Sequence, residues 1–361
     1  MYRFMIAVRL YKKGDKENWE SYVLNHQQGT FFHLIGWKSV IEKTFRHKAF
    51  YLIAEKGEEI SDRKGNAENK RKIIGILPLF LIKSFIFCKS LVSIPFAAYG
   101  GILADSHEIA RKLLDRAKEI THSEKLDYLE LRNRNGKVEN LPTKNLYVTF
   151  RRAISEDLES NLEAIPRKAR RMIRQAEKAG LTYEFGNRKL IPDFYEIFAR
   201  SYHRLGSPVF AVKLFYNLLE EVKNQSNILL IRHPDGKPIA GMLTFFYKDV
   251  VLPYYAGSLF EYRDLAPNDF MYWQLMKYGC ENGYKVFDFG RSKVDTGSYD
   301  FKRHWGLEPE PLHYQYFLSG LGEIPNISPA NAKYQKKIEL WRRLPFWATK
   351  IIGPLIVKYI P

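Results

Sequence analysis

A pattern of apolar and turn residues recurs along the chain in the same order, and that recurrence limits the fold more than any other feature. The stretch from YLIAEKG through a polar loop to IIGILPLFLI, residues 51 to 82, reads as strand, turn, strand, and so does ILLIRHPDGKPIAGMLTFFY at 228 to 247. Gly75 and the five residues after it align with Gly241 and its successors. Pro253 lies 158 residues after Pro95, and Asp288 lies 158 after Glu130. Between these marks each copy carries a helical stretch, IARKLLDRAKEI in the first and FMYWQLMKYGCENG in the second. The repeating unit is strand, strand, strand, helix, strand with a helix before it, an α+β module duplicated in tandem. The junction falls near 150 to 166, where SEDLESNLEAIPRKARRMIRQAEKAG offers a helix start at Ser155, a proline at 166 and a second helix ending at Gly180. The expected domains are 1–155 and 156–318, followed by a linker, basic helix and apolar tail over 319–361.

A chain of 361 residues with 45% hydrophobic side chains can build two such cores. Cys88 and Cys280 stand at no metal-ligand spacing, so they read as core residues of a reduced, cytosolic protein. The nine histidines form no HExxH or paired ligand pattern, and no metal is expected. Arg3 and Arg9 break the apolar N-terminus, which reads as a first strand rather than a secretory signal. Prolines and lysines interrupt the most apolar run, 73 to 99, and no transmembrane helix is expected.

A net charge of +17 favours polyanionic partners: RNA, an anionic membrane or a phosphorylated precursor. Arg167, Arg170 or Arg171, Arg174 and Lys178 recur at helical spacing and form a cationic ridge, either a solvated face or a contact for phosphates. The segment AKYQKKIELWRRLPFWATKIIGPLIVKYIP begins as a basic amphipathic helix. Residues 336–361 are expected either to make peripheral membrane contact or to pack on the first domain.

The densest chemistry lies in FDFGRSKVDTGSYDFKRHWGLEP, residues 287 to 309. Asp288 sits on a strand between two phenylalanines, either as a partly desolvated general base or as a structural partner of Arg291. Arg291 and Lys293 follow the strand, where Gly290 allows close approach and phosphates could be held. Tyr299 and Trp305 are expected to floor a pocket. The hydroxyls of Ser292, Thr296 and Ser298 read as turn-stabilising, and no Gly-x-Ser-x-Gly elbow supports a covalent serine route.

The segment TGSYDFKRHWG resembles the Phe-Lys signature of the FemAB acyl and aminoacyl transferases, here Phe301, Lys302, Trp305 and Gly306. The stretches IIGILPLFLIKSFIFCKSLVSIPFAAYGG, YHRLGSPVF and GRSKVDTGSYDFKRHWGLEPEPLHYQY are similar to the subgroup associated with exosortase (PEP-CTERM) and exopolysaccharide systems. The resemblance implies tandem GNAT-like (acyl-CoA N-acyltransferase-like) domains. It implies N-acyl or aminoacyl transfer, by direct attack on the donor carbonyl, to an amino group of a cell-envelope polysaccharide or peptidoglycan precursor. That precursor would be anionic and nucleotide- or lipid-linked, reached in the cytoplasm at the inner face of the membrane. Lys302 matches a lysine at the family's donor or acceptor site, as an oxyanion stabiliser, a phosphate clamp or simply an exposed lysine. Tyr254 and Tyr255 occupy a strand end similar to the family's acceptor contact. No tightly bound cofactor is implied. Neither YGGILADSHEIAR nor GSLFEYRDLAPNDFM has the pyrophosphate-loop spacing, which turns the expected donor from acetyl-CoA towards aminoacyl-tRNA or another acyl-CoA or acyl carrier. The competing expectation is a noncatalytic duplicated module binding RNA or an anionic glycan carrier.

Overall fold

The computed structural model describes residues 6–61, 67–84, 88–325 and 332–360. The chain divides into two units, one running to Asn145 and adding Leu312–Pro325, the other spanning Leu146–Pro311 and the C-terminal residues through Ile360. Part of the first hairpin's polar loop, residues 62–66, lies outside the described residues.

The first unit opens with β1 (Ile6–Leu10), α1 (Lys16–Asn25), α2 (Ile35–Phe45) and β2 (Lys48–Ala49). Then come the long hairpin β3 (Leu52–Ser61) and β4 (Ala67–Leu77), the short strands β5 (Phe80–Ile82), β6 (Ser90–Val92) and β7 (Leu103–Ala104), α3 (His107–Ser123), β8 (Tyr128–Asn133) and β9 (Thr143–Lys144). Ile109, Leu113, Leu114, Ala117 and Ile120 recur on one face of α3, and all are buried. The Ser106 hydroxyl accepts from the Ile109 N–H and caps that helix.

The second unit runs β10 (Tyr147–Ala153), α4 (Leu158–Glu163), α5 (Arg167–Lys178), β11 (Thr182–Gly186), α6 (Ile191–Leu205), α7 (Val212–Glu221), β12 (Ser226–Arg232), β13 (Pro238–Tyr247), β14 (Val250–Ser258) and α8 (Pro267–Glu281). It continues with β15 (Val286–Asp288), β16 (Ser292–Lys293), α9 (Gly297–His304) and β17 (Pro309–Pro311), and α10 (Ala332–Arg343) and α11 (Phe346–Val357) also belong to it. Its sheet has the order β11-β12-β13-β14-β15-β10-β16, with β17 also paired to β10.

The duplication is visible in the pairing. Antiparallel hairpins β3–β4 and β12–β13 correspond, and among the described residues each unit contains one parallel pair across a helix: β6 with β8 in the first, β14 with β15 in the second. A parallel neighbour requires a crossover, which α3 and α8 supply.

Three local features differ from the sequence reading. The division between units does not follow the expected boundaries: β10 pairs with β15 in the second unit, while β18 (His313–Leu318) inserts between β8 and β9 of the first. The first helix of the junction is capped by Asp157, whose carboxylate accepts from the Glu159 N–H, and begins at Leu158 rather than at Ser155. Cys280 is buried, whereas Cys88 is half-buried and no core residue. Among the described residues no helix is long and apolar enough to cross a membrane.

Candidate functional site

β14 and β15 pair in parallel only at Val250–Val286 and Val251–Phe287, after which β14 continues alone on that side. Where they part, β15 ends in Asp288, and Gly290 turns with φ of +71°, a conformation that suits a residue without Cβ. A Cβ on Gly290 would stand 3.6 Å from the Pro253 carbonyl oxygen, so backbone passes close to backbone here.

Asp288 is fully buried. Its Oδ1 accepts from the Thr149 hydroxyl and from the Gly290 N–H, both at 2.9 Å, and Oδ2 lies 3.4 Å from Arg151 Nε. Arg151 pairs with Asp288 because β10 runs antiparallel to β15 and places Arg151 directly opposite it. In the first unit the matching Glu130 accepts from Arg132 on its own strand at 2.7 Å.

α9 brings Lys302 to the same turn. Its ammonium donates to the Gly290 carbonyl at 2.6 Å and to the Arg291 carbonyl at 3.3 Å, and lies 5.6 Å from the Phe150 ring centroid. The residue is 4% exposed, which rules out the reading as an exposed lysine. Burial pushes the Lys302 amine down to about 7, the Asp288 carboxylate partly opposing and Arg291 adding to the shift. An ammonium has three N–H donors, and two are engaged.

Arg291 is exposed, with its guanidinium 5.0 Å from the Tyr147 ring centroid, and it acts electrostatically on Tyr202 and Tyr255 as well as Lys302. Lys293 is half-buried, and burial lowers its pKa. Tyr255 is buried among Phe198, Phe210 and Phe215. Its hydroxyl has no hydrogen-bond partner among the described residues, and burial pushes its pKa up. Tyr254 packs edge-on against it at 4.8 Å.

Of the two residues expected to floor a pocket, Trp305 does otherwise. Trp305 is fully buried, its Nε1 donating to Asp269 at 3.0 Å, so it anchors α9 in the core and offers no face to a ligand. Tyr299 is half-buried against Phe150 at 5.5 Å, and Phe301 packs beside Tyr272 and Trp305. Thr296 Oγ1 donates to the Lys293 carbonyl, a turn-stabilising role. On α5, Ala169, Ile173 and Ala176 face the core while Arg171 and Arg174 are exposed and Arg170 is half-buried.

Sequence reasoning missed a polar cavity of about 320 Å³ in the first unit, lined among others by His33, Tyr99, Gly101, Ser106, Arg134 and Lys137. Burial holds the His33 imidazole down to about 4, so it is neutral at physiological pH, with Nε2 3.2 Å from the Gly101 carbonyl oxygen. The cavity's residues come from three separate segments, and no short motif announces them.

Residues 166–303 match the model of the acetyltransferase (GNAT) domain. A lipid II:glycine glycyltransferase of Staphylococcus haemolyticus is 34% identical over 134 residues, covering 33% of this chain and 32% of that protein. The match thus spans about a third of the length of such curated relatives. Among solved structures, FemX superposes with a TM-score of 0.64 at 18% identity, covering 87% of this chain and 98% of its own. A tandem GNAT protein from the clavulanic acid biosynthesis pathway gives 0.53 at 9% identity, covering 88% and 100%. These neighbours show the fold, two GNAT-type units in tandem.

Proposed function

We propose that this chain, a FemAB-like protein of the GNAT family, is an N-acyl or aminoacyl transferase acting on an amino group of an anionic cell-envelope precursor, nucleotide- or lipid-linked, at the inner face of the membrane. The observation that carries the reading is Lys302, buried at the parting of two parallel strands with one donor uncommitted and a pKa near neutrality. The match of 134 residues of the chain to a lipid II:glycine glycyltransferase supports a peptidoglycan-type acceptor.

In the proposed step the acceptor amine attacks the donor carbonyl carbon, forming the new C–N bond. The carbonyl oxygen takes up negative charge, and the Lys302 ammonium donates to it. Collapse expels the donor's alcohol or thiol, which receives the proton the amine gives up. A buried cation is worth more to a developing oxyanion than one in water, because little solvent competes for it. Asp288 favours the charged form of Lys302, partly offsetting its burial, and holds the Gly290 turn through its hydrogen bond to the backbone. It is a positioning residue in this scheme rather than the general base. Arg291, Lys293 and the α5 arginines bind phosphates of donor or acceptor, and Tyr254 faces the acceptor while Tyr255, buried among phenylalanines, supports it from behind.

Aminoacyl-tRNA is the donor this reading favours over acyl-CoA, since the turn from Ser258 to Pro267 lacks the pyrophosphate-loop spacing and the chain carries a charge of +17. The test is transfer by wild type and Lys302→Met with saturating donor and acceptor. Loss of about 10²- to 10³-fold in kcat is expected for one missing oxyanion donor. A variant that turns over normally and loses affinity alone would support the noncatalytic binding module instead.

A further inference from the structure

Away from Lys302, the second unit presents an apolar helix face beside a basic pocket. α11 packs on α6, its buried residues being Ala348, Thr349, Gly353 and Val357. Gly353 lies so near Val209 that a Cβ there would stand 2.8 Å from that residue's backbone N and O. The other face carries Trp347, Ile351 and Leu355, which are 66%, 62% and 61% exposed. Four-residue spacing places them on one stripe. Single exposed apolar residues need no explanation, but three large ones in a row mark a face that meets something other than water.

Cations predominate around the stripe, with Glu196 of α6 pairing Lys350 at 3.2 Å and Arg200 at 2.8 Å. α10 and α11 contain Lys336, Lys337, Arg342, Arg343 and Lys350 against the single acid Glu339. A pocket of about 180 Å³ opens beside Phe346 in the first turn of α11, lined by Arg200, Ser201, His203, Arg204, Ser258 and Glu261 among others. The Arg200 guanidinium lies 4.8 Å from the Phe346 ring centroid, and that of Arg204 lies 4.6 Å from Phe260. The buried His203 Nε2 has no hydrogen-bond partner among the described residues. Against the carboxylate of Glu261, two guanidinium groups, two hydroxyls and an imidazole leave a net cationic donor set suited to a phosphate.

We infer that this face docks on an anionic lipid bilayer, with Trp347, Ile351 and Leu355 entering the interface and the Arg200–Arg204 pocket taking a lipid phosphate. An amphipathic helix with tryptophan at one end and lysines alongside lies in the plane of such a surface. A second copy of the chain is a poorer occupant, because a symmetric contact would bring the same row of cations against itself.

The experiment is flotation of the full chain with vesicles of phosphatidylcholine alone and of phosphatidylcholine mixed with phosphatidylglycerol, at low and high salt. It reads partition and needs no turnover, so it stands apart from the transferase assay. Wild type is expected to float with the anionic vesicles, less so at high salt. Trp347→Glu, Ile351→Glu and Leu355→Glu together are expected to lower the partition about tenfold or more while keeping the unfolding midpoint. Arg200→Ala with Arg204→Ala, on a different helix, should lower it about tenfold. Wild type remaining in the dense fraction with anionic vesicles, or the glutamate variant floating as well as wild type, would overturn the inference. So would a wild-type dimer on size exclusion that the same glutamates disperse, since a second copy then covers the face. Undiminished flotation of the arginine variant would remove the phosphate pocket from it.

Discussion

Lys302 and Asp288 were both legible as residues of interest, yet their relationship was not. The sequence places them 14 positions apart, and only the turn at Gly290 and the return of α9 put the ammonium against the Gly290 and Arg291 carbonyls. If the charged form of Lys302 is the working one, kcat/KM falls as pH rises through about 7, because the amine then loses its proton. Asp288→Asn removes the charge that supports that proton, so the falling limb should move to lower pH. An unmoved limb in a pH–rate profile would show that another group titrates. The asparagine keeps an acceptor for Thr149 and Gly290, which makes the shift readable apart from unfolding.

At the scale of elements, α9 and α5 illustrate opposite uses of a face. α9 is held by Trp305, fully enclosed and hydrogen-bonded to Asp269, whose own pKa burial pushes up. Trp305→Ala should cost about 3–5 kcal/mol in urea unfolding, the usual loss for a large aromatic core residue. α5 turns small apolar residues inward and arginines outward. Replacing Arg170, Arg171 and Arg174 by Ala should leave stability within about 0.5 kcal/mol if the ridge is solvated. If it contacts a tRNA donor, the slope of log K against log salt should flatten by about 2 to 3. An unchanged slope across a salt series would return α5 to the role of a surface helix.

At the scale of the whole molecule, the chain leaves the first unit and comes back to it. β18 lies between β8 and β9, and Tyr314, Gln315 and Tyr316 are all buried there. The Gln315 side chain accepts from the Val138 N–H and the Asn133 amide and donates to the Glu139 carbonyl, so it fastens a loop as well as a strand. A chain ending at Pro311 would leave β8 without this neighbour. Hydrogen exchange of the β8 amides should then be fast, whereas a chain ending at Pro325 should keep them protected. Equal protection in both would mean that β18 is dispensable to the first unit.

The duplicated α+β module was legible in the sequence because both copies repeat the same apolar periods, glycines and turns, and strand and helix periods are local properties of the chain. The surrounding chemistry of the site was legible for the same reason, as a dense run of charges and glycines after a strand. Three matters were decided by tertiary structure. Arg151 pairs with Asp288 across strands, which the sequence did not announce, since cross-strand register depends on which strands pair. Trp305 faces the core rather than a ligand, since the direction of a helix face depends on what it packs against. The units interleave at 146–155 and 312–325, and α10 and α11 belong with α6 of the second unit instead of the first domain. Contacts between residues far apart in sequence are set by burial of complementary faces, and no local pattern encodes which faces will meet.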